Sequence, residues 1–127
     1  MDINESYQCT SQSFEKNELV IIIGSDKFGD GENKWSEILM ESYLYALSES
    51  STIPNKIIFS NSGVKLTAEG SVVLESLKIL ESKGVKILIC GACLDFYGLE
   101  NKLKIGEVTN MYEIADIMNK ASNTIKI

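Results

Sequence analysis

Two cysteines separated by two residues form the most reactive group in the chain. Cys90 and Cys93 enclose Gly91 and Ala92, and the pattern follows a run of aliphatic residues. The thiolate is the nucleophilic form of cysteine, and converging backbone N–H groups at a helix start lower a thiol pKa below its free value of about 8.5. We therefore expect Cys93, just beyond the aliphatic run, to be a nucleophile that can hold a terminal sulfur atom as a persulfide.

The two thiols are expected to differ in their roles. Cys90 still belongs to the aliphatic run, and free cysteine is often simply buried, so core packing is favoured for it. A loop thiol flanked by Gly91 and Asp95 has little packing rationale, so a chemical role is favoured for Cys93. Both residues remain catalytic candidates. A dithiol redox protein with a reversible disulfide between them stays open as an alternative.

The sequence contains no histidine, which removes the commonest general base and the commonest metal ligand. Persulfide transfer needs a nucleophilic sulfur, access and N–H donors, but no histidine. A single C-x-x-C pattern leaves a tetrahedral zinc site short of ligands, so neither a metal nor another cofactor is expected. A thioredoxin-like pair normally opens a helix early in a βαβ unit, whereas this pair follows the third predicted strand.

Aliphatic runs alternate with helically spaced segments, which predicts βαβ units around a parallel sheet. Strands are expected at residues 19–23, 56–59, 85–90, 105–108 and 124–127. Helices are expected at about residues 33–48, 67–83 and 96–103 and from residue 110 onward, with Trp35 and Ile38 facing inward on the first. We expect an α/β three-layer sandwich with a mostly parallel five-stranded sheet in the flavodoxin-like order 2-1-3-4-5.

Ligands of open parallel sheets bind beyond the carboxyl ends of the strands, where the chain order reverses. In the expected order this point lies between strands one and three, so the glycine loop 24–31 should meet the C-x-x-C segment. That loop lacks the spacing of nucleotide-binding glycine motifs, and a plain turn remains an alternative for it. The candidate ligand-binding residues are Gly24, Ser25, Asp26, Asn61, Ser62, Gly91 and Ala92, although loop hydrogen bonding explains the polar ones equally well.

Composition narrows the function classes. The chain has 127 residues and a formal net charge of −6, which suits one soluble domain and disfavours nucleic acid as a partner. No apolar run is long enough for a membrane span, and the first residues do not resemble a secretory signal, so a cytoplasmic location with reduced thiols is expected. Residues 1–17 are interpreted as a flexible tail or linker remnant in which Cys9 is incidental, and residues 18–127 as the α/β domain.

The segment Cys90–Leu99 resembles the cysteine segment of DsrE/DsrF-like proteins, which are small sulfur-relay α/β domains. Residues 58–67 and 106–112 resemble stretches in the C-terminal domain of YedF-type selenium-metabolism proteins, and the similarity spans about residues 19–127. The resemblance implies a DsrE-like, sulfurtransferase-like protein in which Cys93 accepts and passes on sulfur or selenium. Cys90 matches a second cysteine that some members have.

The resemblance also implies partners. Persulfide donor and acceptor proteins would exchange sulfur with Cys93, and a TusA-like domain, which normally precedes this domain in YedF-type proteins, is one candidate. Relatives commonly form trimers or hexamers, and an exposed aromatic helix with Tyr43 and Tyr45 would suit such a homo-oligomer. The alternative function is a non-enzymatic module of the same fold that binds a small ligand or a protein.

Overall fold

A computed structural model describes residues 17–127 as five strands with helices on both sheet faces. The strands are β1 (Leu19–Ile23), β2 (Lys56–Phe59), β3 (Lys86–Cys90), β4 (Glu107–Thr109) and β5 (Asn123–Lys126). The helices are α1 (Asn33–Glu49), α2 (Leu74–Ser82), α3 (Gly91–Phe96) and α4 (Met111–Lys120), with a 3₁₀ helix at Asn61–Thr67. The predicted fold class is confirmed. Residues 1–16, which hold Cys9 and nearly all of the predicted tail, lie outside the described residues.

The strand order differs from the prediction. The strands pair in parallel in the order β4-β3-β2-β1-β5, so the predicted order 2-1-3-4-5 is wrong. The connections from β1 to β4 all step in one direction, and only the last one returns across the sheet to place β5 beside β1. Aliphatic runs identify strands, but they do not specify the direction in which each crossover steps, which is why the order could not be read from them.

The direction of the crossovers also determines which face each helix covers. A right-handed connection that steps the opposite way places its helix on the opposite face of the sheet. Accordingly, α1 and α2 pack on one face through Met40, Leu44, Leu77 and Leu80. On the other face α4 packs through Ile114 against Val20, Ile22, Ile58, Leu88 and Cys90. Cys90 therefore points toward the α4 layer.

The side of α1 that faces the core differs from the predicted one. Trp35 and Ile38, which were predicted to face inward, are 58% and 43% exposed, whereas Ser36, Met40, Leu44 and Ser48 are buried. Small serine side chains allow the two ends of the helix to approach neighbouring segments closely. The carbonyl of Ser36 accepts the N–H of Phe28 at 3.0 Å, for example. None of the helices in residues 17–127 is both long enough and apolar enough to cross a bilayer.

The two tyrosines predicted to make α1 an exposed aromatic surface have different environments. Tyr43 is half-buried and packs against Phe28 in a tilted arrangement, with ring centroids 5.2 Å apart. Tyr45 is 60% exposed. Only Tyr45 therefore contributes to an aromatic surface in the way the sequence suggested, because Tyr43 lies on the stripe that α1 turns toward the core.

The 3₁₀ helix replaces a predicted loop and the start of a predicted helix, and it lies against the end of β1. The N–H of Ser60 donates to the carbonyl of Ile23 at 3.0 Å. A Cβ atom on Gly63 would lie 2.3 Å from that same carbonyl oxygen. Thr67, where the second helix was expected to begin, is instead buried in the 3₁₀ helix and donates its hydroxyl to the carbonyl of Val64 at 2.7 Å. Glycine at position 63 thus permits the chain after β2 to approach β1 closely.

Replacing Gly63 with alanine should destabilise the fold, because the added methyl group meets a backbone oxygen that cannot rotate away. We expect Gly63→Ala to lower the free energy of unfolding by about 1–3 kcal/mol, the usual range for overpacking. Urea unfolding followed by circular dichroism measures this change. Gly31→Ala is the matched control, since a Cβ there meets only Ser36 Oγ at an ordinary 3.8 Å. Equal midpoints for the two variants would contradict the expectation.

Candidate functional site

Cys93 lies in the first turn of α3 at the carboxyl end of the sheet. The helix begins at Gly91, directly after β3 ends at Cys90, and it finishes at Phe96. The prediction that this helix begins near Phe96 is therefore wrong. A Cβ on Gly91 would lie 2.9 Å from Cγ1 of Val108 on β4, so the missing side chain allows the immediate change from strand to helix beside β4. This junction places Cys93 above the end of β3.

The Cys93 sulfur accepts a hydrogen bond from a backbone N–H group in the segment that follows the neighbouring strand β2. Asn61 donates its N–H to Sγ of Cys93 at 3.1 Å. β2 and β3 are adjacent parallel strands with Phe59 opposite Ile89, so the segments that follow them emerge side by side. Asn61 has a φ angle of 49°, in the left-handed region that asparagine enters more readily than most residues. The two loops thus meet at the thiol through a defined backbone turn.

Cys90 contacts Cys93 from the core side. Cys90 is 5% exposed and belongs to the buried cluster beneath α4, against which the half-buried Cys93 also packs. The two thiols interact through their side chains, and both are free thiols. Cys90 is the N-cap residue of α3 and Cys93 is its third residue, two positions that lie close together at a helix start, which explains the contact. The structure is compatible with a packing role and with a chemical role for Cys90.

Cys93 opens into a shallow cleft of about 270 Å³ that is also lined by Asn61, Ala92, Phe96 and Tyr97. Small-molecule pockets usually measure roughly 300–1,000 Å³, so this cleft suits a small sulfur-bearing group better than a whole cofactor. Sequence reasoning missed the two aromatic residues. They follow Cys93 by three and four positions, a spacing that would have indicated them had α3 been placed correctly.

The two aromatic residues of the cleft, Phe96 and Tyr97, have different surroundings. Phe96 is 81% exposed and meets Tyr97 edge to face, with ring centroids 5.0 Å apart. Lys65, which sequence reasoning also missed, holds its ammonium group 4.7 Å from the centre of the Tyr97 ring. The cation–π contact joins the 3₁₀ helix to the end of α3. Tyr97 is thereby fixed, whereas Phe96 projects from the surface.

The remaining predicted ligand-binding residues do not line the cleft. β2 lies between the glycine loop and the thiols, so these do not meet as the predicted strand order required. The N–H of Gly24 donates to the carbonyl of Ile127 at 3.1 Å, and Ser25 Oγ accepts a nearby backbone N–H at 3.0 Å. The N–H of Asp26 donates to Ser62 Oγ at 3.2 Å. Hydrogen bonds within and between the loops account for these four predicted residues.

Burial raises the pKa of the Cys93 thiol above its ordinary value, and interaction with Cys90 raises it further. The N–H of Asn61 acts in the opposite direction, but it does not offset the other two effects. The expectation of a lowered pKa is therefore wrong, because it considered N–H donors and not the desolvation of a half-buried sulfur. Cys93 is mainly protonated at neutral pH. Within residues 17–127, no cluster of three or more His, Cys, Asp or Glu side chains could hold a metal ion.

Comparison with known proteins agrees with this architecture. A family model described as the DsrE/DsrF-like family matches residues 40–127, which include β2 to β5 and both thiols of the site. A search of curated proteins found no significant match. Neither result addresses closeness to YedF-type proteins, which stays a prediction.

Solved structures share the fold at low sequence identity. The ychN protein from E. coli has 18% identity and a TM-score of 0.68 over 87% of this chain and 99% of its own. MTH1491 from Methanobacterium thermoautotrophicum, a protein of unknown function, has 16% identity and a TM-score of 0.65 over 87% and 98%. BT1422 from Bacteroides thetaiotaomicron, a conserved protein of unknown function, has 18% identity and a TM-score of 0.57 over 87% and 96%. Each of these is similar over nearly its whole length.

The raised pKa of Cys93 predicts a characteristic pH dependence of alkylation. Only the thiolate reacts, so the rate should be low at neutral pH and should still be rising at the free-thiol pKa of about 8.5. In Cys90→Ala the neighbouring thiol that raises the pKa is gone, and the rate profile should shift to lower pH. A Cys9→Ser background leaves Cys90 and Cys93, and fragmentation of the peptide that holds both assigns the iodoacetamide adduct to Cys93. An unchanged profile in Cys90→Ala would contradict the assigned cause.

Proposed function

This chain belongs to the DsrE/DsrF-like family, which is associated with sulfur relay, and from that premise we propose that it carries a persulfide on Cys93. In this proposal Cys93 takes a terminal sulfur, or equally a selenium, from a donor and passes it to an acceptor. The activity is sulfurtransferase-like, and it uses the chain's own thiol without a cofactor. Persulfide exchange proceeds by nucleophilic attack of a thiolate on sulfur, so the position of Sγ decides whether it is feasible.

The observation that carries the proposal is the placement of the Cys93 sulfur between a cleft and an N–H donor. Sγ is half-buried, opens into a cavity of about 270 Å³ and accepts the N–H of Asn61 at 3.1 Å. One water molecule occupies about 30 Å³ in the liquid, so an added sulfur atom has ample room. Hydrogen bonds to an anionic sulfur are stronger than those to a neutral one, so this N–H favours the thiolate form of Cys93 that attacks the donor.

The transfer balances without an external oxidant or reductant. Cys93 thiolate attacks the terminal sulfur of a donor persulfide, a new S–S bond forms on Cys93, and the donor's S–S bond breaks. The donor leaves as a thiolate and takes up the proton that Cys93 gave to solvent. In the second half-reaction, an acceptor thiolate attacks the same terminal sulfur and releases the Cys93 thiolate. With no histidine in the chain, solvent or the partner must exchange these protons.

The raised pKa is consistent with transfer that depends on a partner. At neutral pH only a small fraction of Cys93 is ionised, but a thiolate of higher pKa is intrinsically more nucleophilic. The reaction with a dilute free donor should therefore be slow. A docked donor compensates, because holding two groups together raises their effective concentration greatly.

Exposed apolar side chains at this end of the sheet would suit protein partners. We define the apolar collar as Phe96, Val108, Met111 and Tyr112, which are 81%, 58%, 62% and 92% exposed. All four lie on β4 or on the helices that follow β3 and β4, which are adjacent strands. Large exposed apolar groups commonly mark protein contacts. The collar supports persulfide donor and acceptor proteins, including a TusA-like domain, as partners. Trp35, Ile38, Tyr45 and Val72 are exposed elsewhere, which supports a homo-oligomer as part of the proposal.

Loading with sulfur tests the carrier role directly. The reduced Cys9→Ser protein, incubated with a persulfide donor, should gain one sulfur atom that cyanide removes, and intact-mass spectrometry detects it. Cys93→Ser in the same background should gain none, because the remaining thiol is buried. A stable Cys93→Ser fold, checked by circular dichroism, is required for the comparison. An adduct of equal yield on Cys93→Ser, or no adduct on the parent, would favour a non-enzymatic binding module.

Truncating the most exposed aromatic residue of the cleft separates partner docking from folding. Phe96→Ala should change the free energy of unfolding by no more than about 0.5 kcal/mol, as is usual at exposed positions. Loading from a protein persulfide should slow by about tenfold, because an aromatic interface anchor contributes 1 kcal/mol or more. Loading from a small persulfide should stay the same.

Tyr45→Ala is the matched control for Phe96→Ala, since it removes another exposed aromatic side chain, 60% accessible, from α1. It should leave loading from both donors unchanged. If the two variants slow protein-dependent loading equally, or if Phe96→Ala has no effect, the apolar collar is not the docking surface.

A further inference from the structure

We propose that Cys90 discharges the sulfur held on Cys93 as hydrogen sulfide and leaves a Cys90–Cys93 disulfide. This inference rests on the proposed persulfide on Cys93 and adds a second outcome for it. A loaded Cys93 either passes its sulfur to an acceptor or loses it to the thiol beneath. The chain would then release sulfide as well as carry sulfur.

The two thiols are arranged for this reaction. Cys90 is the last residue of β3 and caps α3, and Cys93 lies in the first turn of that helix. Gly91 places no side chain between them, and both sulfur-bearing residues pack in the cluster beneath α4. Their side chains already interact. The N-cap and the third residue of a helix lie close together, so the start of α3 brings the two thiols within reach of each other.

The two thiols differ in burial, and this difference determines which of them reacts first. Cys90 is 5% exposed, whereas Cys93 lines the open cleft, so a donor reaches Cys93 alone. The added terminal sulfur extends into the cleft, which is the direction with free space. Cys90 contacts Cys93 from the opposite, core side. Its thiolate therefore meets the inner sulfur, Sγ of Cys93, and not the terminal one.

Attack on the inner sulfur gives a balanced reaction. A bond forms between the sulfurs of Cys90 and Cys93 while the bond from Cys93 to the terminal sulfur breaks. The terminal sulfur leaves with the electron pair as hydrosulfide, and the proton of Cys90 brings it to hydrogen sulfide. The two cysteine sulfurs are oxidised together by two electrons, and the terminal sulfur is reduced by two. A dithiol reductant, protein or small molecule, then restores both thiols for another cycle.

The fate of a loaded protein tests this proposal. Protein in a Cys9→Ser background is charged with a persulfide donor, freed of donor by gel filtration and sampled over time without reductant. We expect the mass gain of one sulfur to give way to a species two hydrogens lighter than the reduced protein. One equivalent of hydrogen sulfide should appear at the same rate, and peptide mapping should locate the disulfide between Cys90 and Cys93. Adding a dithiol should restore the reduced mass.

Removing the second thiol supplies the comparison. Cys90→Ala should still gain one sulfur on Cys93, at a rate set by the changed pKa of that thiol. It should retain the added sulfur at least about tenfold longer, because the internal thiolate is missing. If Cys90→Ala does not fold, the disulfide mapping and sulfide yield of the parent decide alone. A parent that keeps its sulfur as long as Cys90→Ala, or that releases sulfide without forming the disulfide, overturns the inference. A parent that never gains sulfur instead overturns the proposed function.

Discussion

The close approach of the chain after β2 to the end of β1 is the constraint on which the site depends. Gly63 meets the carbonyl of Ile23 at a distance that no larger residue allows, and this contact fixes the start of the 3₁₀ helix. Asn61 lies two residues earlier, and its left-handed backbone turns the N–H toward Cys93. The hydrogen-bond donor of the site is therefore set by backbone packing on the first strand, although the thiol follows the third.

Burial and reactivity oppose each other at Cys93. The contacts that hold the sulfur in a defined place, with Cys90 on one side and the cleft wall on the other, also remove water and raise its pKa. A fully exposed thiol would ionise more readily, but it would lack the fixed N–H donor and the neighbouring thiol. The structure thus holds the Cys93 sulfur in a fixed position at the cost of easy ionisation. Such a thiol is better suited to react with a bound partner than with a molecule free in solution.

The sequence allowed the fold class to be predicted, but not the way its parts are connected. The aliphatic runs located β1 and β2 correctly and the α/β class followed, because buried strands leave an unambiguous hydrophobic signal. The order of the strands depends on the direction of each crossover, to which single residues contribute little. The inward face of α1 was also predicted wrongly, because it includes Ser36 and Ser48, which are buried although serine gives no hydrophobic signal.

The same distinction applies to the site. Cys93 could be singled out from its type and position, but Asn61 acts through its backbone, and no side-chain pattern indicates which N–H will face a sulfur. The glycine loop was assigned to the site because the wrong strand order placed it beside the thiols. Once β2 lies between them, the two loops are separate and the donors of the glycine loop are used locally.

The depth of Cys90 gives the pair a property that neither thiol has alone. A donor cannot reach a buried thiol that stands alone. A half-exposed thiol that stands alone can lose its added sulfur only to an external acceptor. Cys90 contacts Cys93 in the buried cluster beneath α4, and it does not line the cleft. In the proposed cycle, sulfur therefore enters on one side of Cys93 and Cys90 attacks from the other. In the proposed cycle, the balance between transfer and discharge depends on how fast an acceptor arrives, since the internal thiol is always present.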